Sequence, residues 1–183
     1  MIKMARVYDA GSECAFESRE ILFDTNVWIS IYGNDPSRER AVYSNFYASA
    51  LSKGNTIVTC ANVISELFNR MCKIEYELLF GGGEYHLLKS RRKSDEDYLE
   101  RVESVRDTCL SILEDCELIV DTNDVEAIEL QLNEAAKGLL DFTDAALVAS
   151  CLSNDLIFVS HDRDFVHVDF DLVSANPRVL RGA

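Results

Sequence analysis

The feature that most restricts this chain is its alternation of short apolar runs with segments of helical periodicity. Glu20–Phe23, Thr56–Thr59, Leu118–Val120 and Leu156–Val159 are four such runs, and Phe170–Val173 is a candidate fifth. Their β-branched and aromatic content, and their bounding by polar residues or Gly, predict buried strands. Between them, Val42, Phe46, Ala50 and Leu51 predict a helix from Ser37 to Lys53, with Pro36 as its start signal and Gly54 as its stop. Further helices are expected from a cap at Asn62 to about Leu79, over Asp95–Cys116, over Asp124–Lys137, and over Phe142–Asn154 behind a cap at Asp141. Strands separated by helices build βα units. The expected fold is therefore α/β: a parallel central sheet of four to five strands with helices on both faces, an α/β/α sandwich. In such sheets ligands bind beyond the carboxyl ends of the strands.

Composition narrows the function classes. The chain has 183 residues, 48% apolar and 27% charged, which excludes intrinsic disorder and favours one domain over residues 1–183. Its apolar runs fall far short of the ~20 residues that cross a bilayer, and its start lacks a signal-type apolar core. A reducing cytoplasm is expected, with no membrane contact. No two of the six Cys are spaced C-x-x-C and only three His are present, which argues against zinc-ribbon and zinc-finger sites. Cys109 and Cys116, on one helix face, read as core residues. The net charge of −14 is wrong for a protein that holds nucleic acid on a broad basic surface. Metal ions would have to carry the positive charge instead.

Several carboxylates stand where chemistry is expected. Asp24 directly follows the first strand, and Asp162 follows the strand ending at Val159. Adjacent strands would bring both to the same edge, although either could simply cap or turn the chain. Asp144 shares a helix face with Leu147, Val148 and Cys151, so it sits on an apolar stripe and needs a cation or hydrogen-bond donors. Free N–H groups of its own first turn could supply those donors, with Asp141 as cap. Glu66 lies one or two turns past the second strand, where it could reach the same edge or merely pair with Arg70. If Asp24, Glu66, Asp144 and Asp162 converge, each pair ~5 Å apart repels by roughly 3 kcal/mol at an effective dielectric of about 20. Such a set must take up protons or bind divalent cations. Oxygen ligands alone suit Mg²⁺ or Mn²⁺, which can activate water against a phosphodiester.

Leu22–Val27 (LFDTNV), Val63–Leu67 (VISEL), Thr143–Ala149 (TDAALVA) and Val159–Phe165 (VSHDRDF) resemble, in order, the four motifs of the PIN-domain nucleases, over about residues 20–175. An extra segment falls at about residues 80–98. The resemblance implies a PIN-like fold and a Mg²⁺- or Mn²⁺-dependent endoribonuclease, with VapC-type toxins among its relatives. By position, Asp24, Glu66, Asp144 and Asp162 would form the catalytic metal site, with Asp164 as a further acid. Asn26 and Ser160 match polar positions that orient ligands or water. RNA is the implied substrate; an antitoxin partner and a homodimer stay open.

Lys89, Arg91, Arg92 and Lys93 form the densest basic cluster and could hold RNA phosphates, or be a solvated loop. The alternative function is a PIN-like binding or scaffold protein with little catalysis. A phospho-receiver fits less well, since Ser160–Asp162 offers no lysine. A haloacid-dehalogenase-like enzyme would need an acid where Asn26 stands.

Overall fold

The computed structural model describes residues 4–33, 39–120 and 124–182. Among them, six strands form one parallel sheet: β1 (Arg6–Asp9), β2 (Glu20–Phe23), β3 (Thr56–Thr59), β4 (Glu117–Leu118), β5 (Ile157–Val159) and β6 (Asp171–Ser174), in the order β1-β6-β5-β2-β3-β4. Helices cover both faces. They are α1 (Thr25–Tyr32), α2 (Glu39–Ser52), α3 (Ala61–Phe80), α4 (Leu88–Ser94), α5 (Glu96–Asp115), α6 (Val125–Ala136), α7 (Phe142–Ser153) and α8 (Pro177–Leu180). The α/β sandwich expected from the sequence is the one observed.

The sheet has more strands than the four to five expected. The additional strand is β1, which pairs in parallel with β6 from Arg6↔Asp171 to Asp9↔Ser174. Its sequence, RVYD, carries only half-buried or exposed side chains, as befits an edge strand. The run Leu118–Val120 contributes to β4, but that strand is confined to Glu117–Leu118, and Val120 is 87% exposed.

The central strands explain the core. Ile21 of β2 faces Ile57 of β3 and Ile157 of β5 in register, and Ile21, Leu22, Phe23, Ile157, Phe158 and Val159 are all buried. Burial on both faces is why these strands read as continuous apolar runs rather than alternating ones. The helix start proposed at Pro36 and Ser37 lies outside the described residues. α3 begins at Ala61 with Cys60 in the cap position and no side-chain cap bond, so Asn62 is not its cap. The cap at Asp141 is as expected, and Asp95 and Asp124 cap α5 and α6 in the same way: each carboxylate accepts a backbone N–H three residues on. All six cysteines are free thiols, Cys109 buried and Cys116 half-buried. No helix among the described residues is long and apolar enough to cross a membrane.

Topology singles out one place. From β2 the chain continues to β3 on one side, while β5 continues to β6 on the other. The crevice beyond β2 and β5 is thus the switch point of the sheet, where open α/β folds bind ligands.

Asn55, 5% exposed, locks the entry to β3 from the opposite end. Its side chain accepts from the Arg19 N–H at 3.0 Å and donates to the carbonyls of Phe16 at 2.8 Å and Ala50 at 2.9 Å. Asn55→Ala removes the side-chain acceptor of the Arg19 N–H and one donor from each of the two carbonyls. It should cost about 2 kcal/mol of unfolding free energy, read as a lower urea midpoint at unchanged m. An unchanged midpoint would show that the three bonds are not needed.

Candidate active site

Asp24 stands at the end of β2 in the cap position of α1, yet its carboxylate does not cap that helix. It turns instead towards β5. Ser160 Oγ donates to Asp24 Oδ2 at 2.6 Å, and Asn26 Nδ2 donates to the same oxygen at 2.6 Å. The packing of α1 fixes this arrangement, because Val27 and Trp28 are buried and the Trp28 ring lies 5.2 Å from that of Phe23. Asp24 is only 6% exposed. Burial lifts its carboxyl to about 6, against the downward pull of the Ser160 hydroxyl and the Thr25 N–H; Glu66 and Asp162 add to the rise.

Ser160 and Asn26 do more than hold Asp24. The fully buried Ser160 Oγ also accepts from the Asp162 N–H at 3.0 Å, and from Asn26 Nδ2 at 3.2 Å. Asn26 Oδ1 accepts from the His161 N–H at 3.0 Å. The start of α1 and the turn after β5 are thereby cross-linked through polar side chains. Asn176 extends the same frame, donating to the His161 carbonyl at 2.6 Å, and the Tyr43 hydroxyl lies 2.9 Å from His161 Nδ1.

Asp144 enters from the first turn of α7. Asp141 Oδ1 accepts the Asp144 N–H at 2.9 Å, and the Asp144 carboxyl accepts the Asp141 N–H in return. This is a reciprocal cap, so the structural alternative for Asp144 is partly realised. The carboxyl nevertheless rises to about 7, first by burial, then by repulsion from Asp141, Asp24 and Asp162, against the pull of that one backbone bond. Glu66, in the second turn of α3, has its side chain 35% exposed. Thr25 Oγ1 donates to its Oε2 at 3.3 Å, and Arg70 Nη1 stands 3.3 Å from its Oε1.

Asp24, Glu66, Asp144 and Asp162 therefore lie at one edge of the sheet, near enough to bear on one another electrostatically. Asp164 is different. Its N–H donates to Asp162 Oδ1 at 3.1 Å as the chain enters the 3₁₀ turn Asp164–His167, and its own side chain is exposed. Among the described residues, no three or more His, Cys, Asp or Glu side chains are arranged to enclose a metal ion. The oxygen-only character of the set, and the mutual repulsion within it, are what a divalent cation would relieve.

The basic cluster is not a solvated loop. Lys89, Arg91, Arg92 and Lys93 all lie on α4. The Arg91 guanidinium sits 4.4 Å from the Phe80 ring centre and that of Arg92 5.3 Å from Phe68, so both are used in packing. Lys89 and Lys93 are exposed. Thr25 and Arg70 are contacts of the acid set beyond the expected site residues. Thr25 is next to Asp24 in sequence, and the Glu66–Arg70 spacing is the visible signal for Arg70.

No curated protein matches the chain at the level of sequence. Among solved structures, VapBC2 from Rickettsia felis bound to a promoter DNA fragment is similar at 15% identity and TM-score 0.49, covering 84% of this chain and 98% of that one. PAE2754 from Pyrobaculum aerophilum is similar at 15% identity and TM-score 0.48, covering 93% and 96%. FitAcB from Neisseria gonorrhoeae is similar at 17% identity and TM-score 0.42, covering 82% and 96%. The PIN domain family matches residues 21–171, which contain β5, all of β2 but its first residue, and every acid gathered at the switch point. The chain belongs to the PIN domain family.

Proposed function

We propose that this protein is a Mg²⁺- or Mn²⁺-dependent endoribonuclease of the cytoplasm, of the kind that acts as a toxin controlled by an antitoxin. The observation that carries the reading is the placement of Asp24 at the switch point, tied to Ser160 across it and repelled by Glu66 and Asp162. A fold gains nothing in stability from gathering like charges, so their placement needs a compensating ligand.

Asp24, Glu66, Asp144 and Asp162 would hold the ion, with Asp164 behind Asp162. When bound, the ion supplies Lewis-acid activation of water and offsets charge developing on the phosphodiester. The chain's own residues do the positioning. Ser160 and Asn26 fix the Asp24 carboxylate and leave Oδ1 outside their hydrogen bonds. Thr25 orients Glu66, and Asp141 orients the first turn that presents Asp144. The product is a 5′-phosphate and a 3′-hydroxyl, with no side-chain nucleophile required.

Asp144→Asn separates catalysis from helix anchoring. Asn retains an acceptor for the Asp141 N–H but removes the charge. Cleavage of a single-stranded RNA in Mn²⁺ should fall on the order of 100-fold or more, beyond the usual cost of losing an outer-shell contact. The metal-free melting temperature should stay the same or rise. Cleavage within a few-fold of wild type would overturn the four-acid site.

The pH dependence has a definite sign. Asp24 at about 6 and Asp144 at about 7 are raised above the ~3.9 of an unfolded Asp. The native state therefore keeps protons that the unfolded chain has lost. Their contribution is fully present below about pH 4 and is lost as pH rises through 6 and 7. Without metal, Asp24→Asn/Asp144→Asn should lose less stability than wild type between pH 5 and pH 8 by urea unfolding. Identical losses would contradict the shifts.

A further inference from the structure

We infer that the exposed stripe of α3 beyond Glu66 is a track for the backbone of a single-stranded RNA, with Arg70 and Lys73 as phosphate contacts and Tyr85 as a stacking surface for a base. The inference rests on the nuclease reading and names the path its substrate takes away from the acids.

Helical spacing sets Glu66, Arg70, Lys73 and Glu77 on one stripe, within about 60° of one another around the α3 axis. At ~1.5 Å per residue, Arg70 lies about 6 Å and Lys73 about 10 Å beyond Glu66 along the helix. These steps match the reach of one and two nucleotides of an extended strand leaving the acid edge. Both cations are accessible, with side chains 52% exposed. Their counter-acids hold them loosely: Arg70 Nη1 is 3.3 Å from Glu66 Oε1, and Lys73 Nζ is 3.9 Å from Glu77 Oε1. Exposed pairs of this kind contribute little and exchange readily for another anion. A cation taken up by Glu66 would also release Arg70 towards a phosphate.

Tyr85 adds a second kind of contact. The residue is 43% exposed, and its hydroxyl donates to Glu77 Oε1 at 2.5 Å. Lys73 Nζ stands 4.4 Å from the ring centre. A cation beside a positioned, accessible aromatic is the pairing that binds single strands without sequence preference, through phosphate and base face together. Arg91 and Arg92 are less suited to this role, because both are half-buried while Arg70 and Lys73 are exposed.

Binding of a short fluorescein-labelled oligouridylate is measured by anisotropy across a range of salt, in Ca²⁺, with intact strand verified on a gel. Arg70→Gln/Lys73→Gln keeps the side-chain stems and should lower the magnitude of the log K against log salt slope by about 1.4, at ~0.7 per lost phosphate contact on a single strand. Tyr85→Ala should weaken binding roughly tenfold at unchanged slope. Circular dichroism establishes that each variant is folded. An unchanged slope in Arg70→Gln/Lys73→Gln overturns the track while leaving the nuclease reading intact. A slope that falls only in Lys89→Gln/Lys93→Gln moves the strand to α4 and also overturns it. Failure of the wild-type protein to bind the strand would overturn the nuclease reading and the track together.

Discussion

The burial of one carboxylate, Asp24, against the hydroxyl of Ser160 organises the edge of the sheet where the acids gather. The bond spans the two central strands at the point where the chain's path across the sheet reverses. It works because each partner sits at the end of a strand that cannot shift: Phe23 and Val159 are in register and fully buried. Asn26 closes the frame by bonding to both residues and to the His161 backbone. Without the hydroxyl and the amide, a carboxylate this buried would have to keep its proton. With them it is held at about 6, within reach of ionisation near neutral pH.

The remaining acids are arranged with graded exposure. Asp144 is half-buried and shares its carboxyl with the helix cap, Glu66 is more open and shares its own with Arg70 and Thr25, and Asp162 is exposed. The buried members set position, while the open members can adjust to a ligand. The repulsion among them is a standing cost in the metal-free fold, which the apolar core beneath must outweigh. Repulsion of this kind, concentrated at one edge, is typical of a site kept for function rather than for stability.

Much of this was legible from the residues. The runs EILF, TIVT and LIFV announced the three central strands, because burial on both faces leaves a continuous apolar signature. Asp24 and Asp162 could be placed by their position after two of those strands, and Asp144 by its intrusion on an apolar helix face. What escaped had weaker signals. β1 is an edge strand whose side chains are largely half-buried or exposed, so RVYD carries no apolar run. α1 begins with Thr25–Asn26, which reads as a polar turn, and its helical character is decided by the packing of Trp28 against Phe23 and Tyr47. The basic residues of α4 read as a solvated loop or as an RNA contact. Only the three-dimensional neighbours Phe68 and Phe80 show that two of them are engaged in packing.

Binding of a divalent ion by the gathered carboxylates would show itself as metal-linked stability. Thermal melts at pH 8 across a Mn²⁺ titration should show wild-type melting temperature rising with the ion. A ligand at a hundred times its Kd stabilises the native state by about 2.7 kcal/mol. The rise should be largely lost in Asp24→Asn, whose side chain keeps its shape and its place beside Ser160. A wild-type melting temperature that does not respond to Mn²⁺, or an equal rise in Asp24→Asn, would show that these carboxylates do not hold the ion.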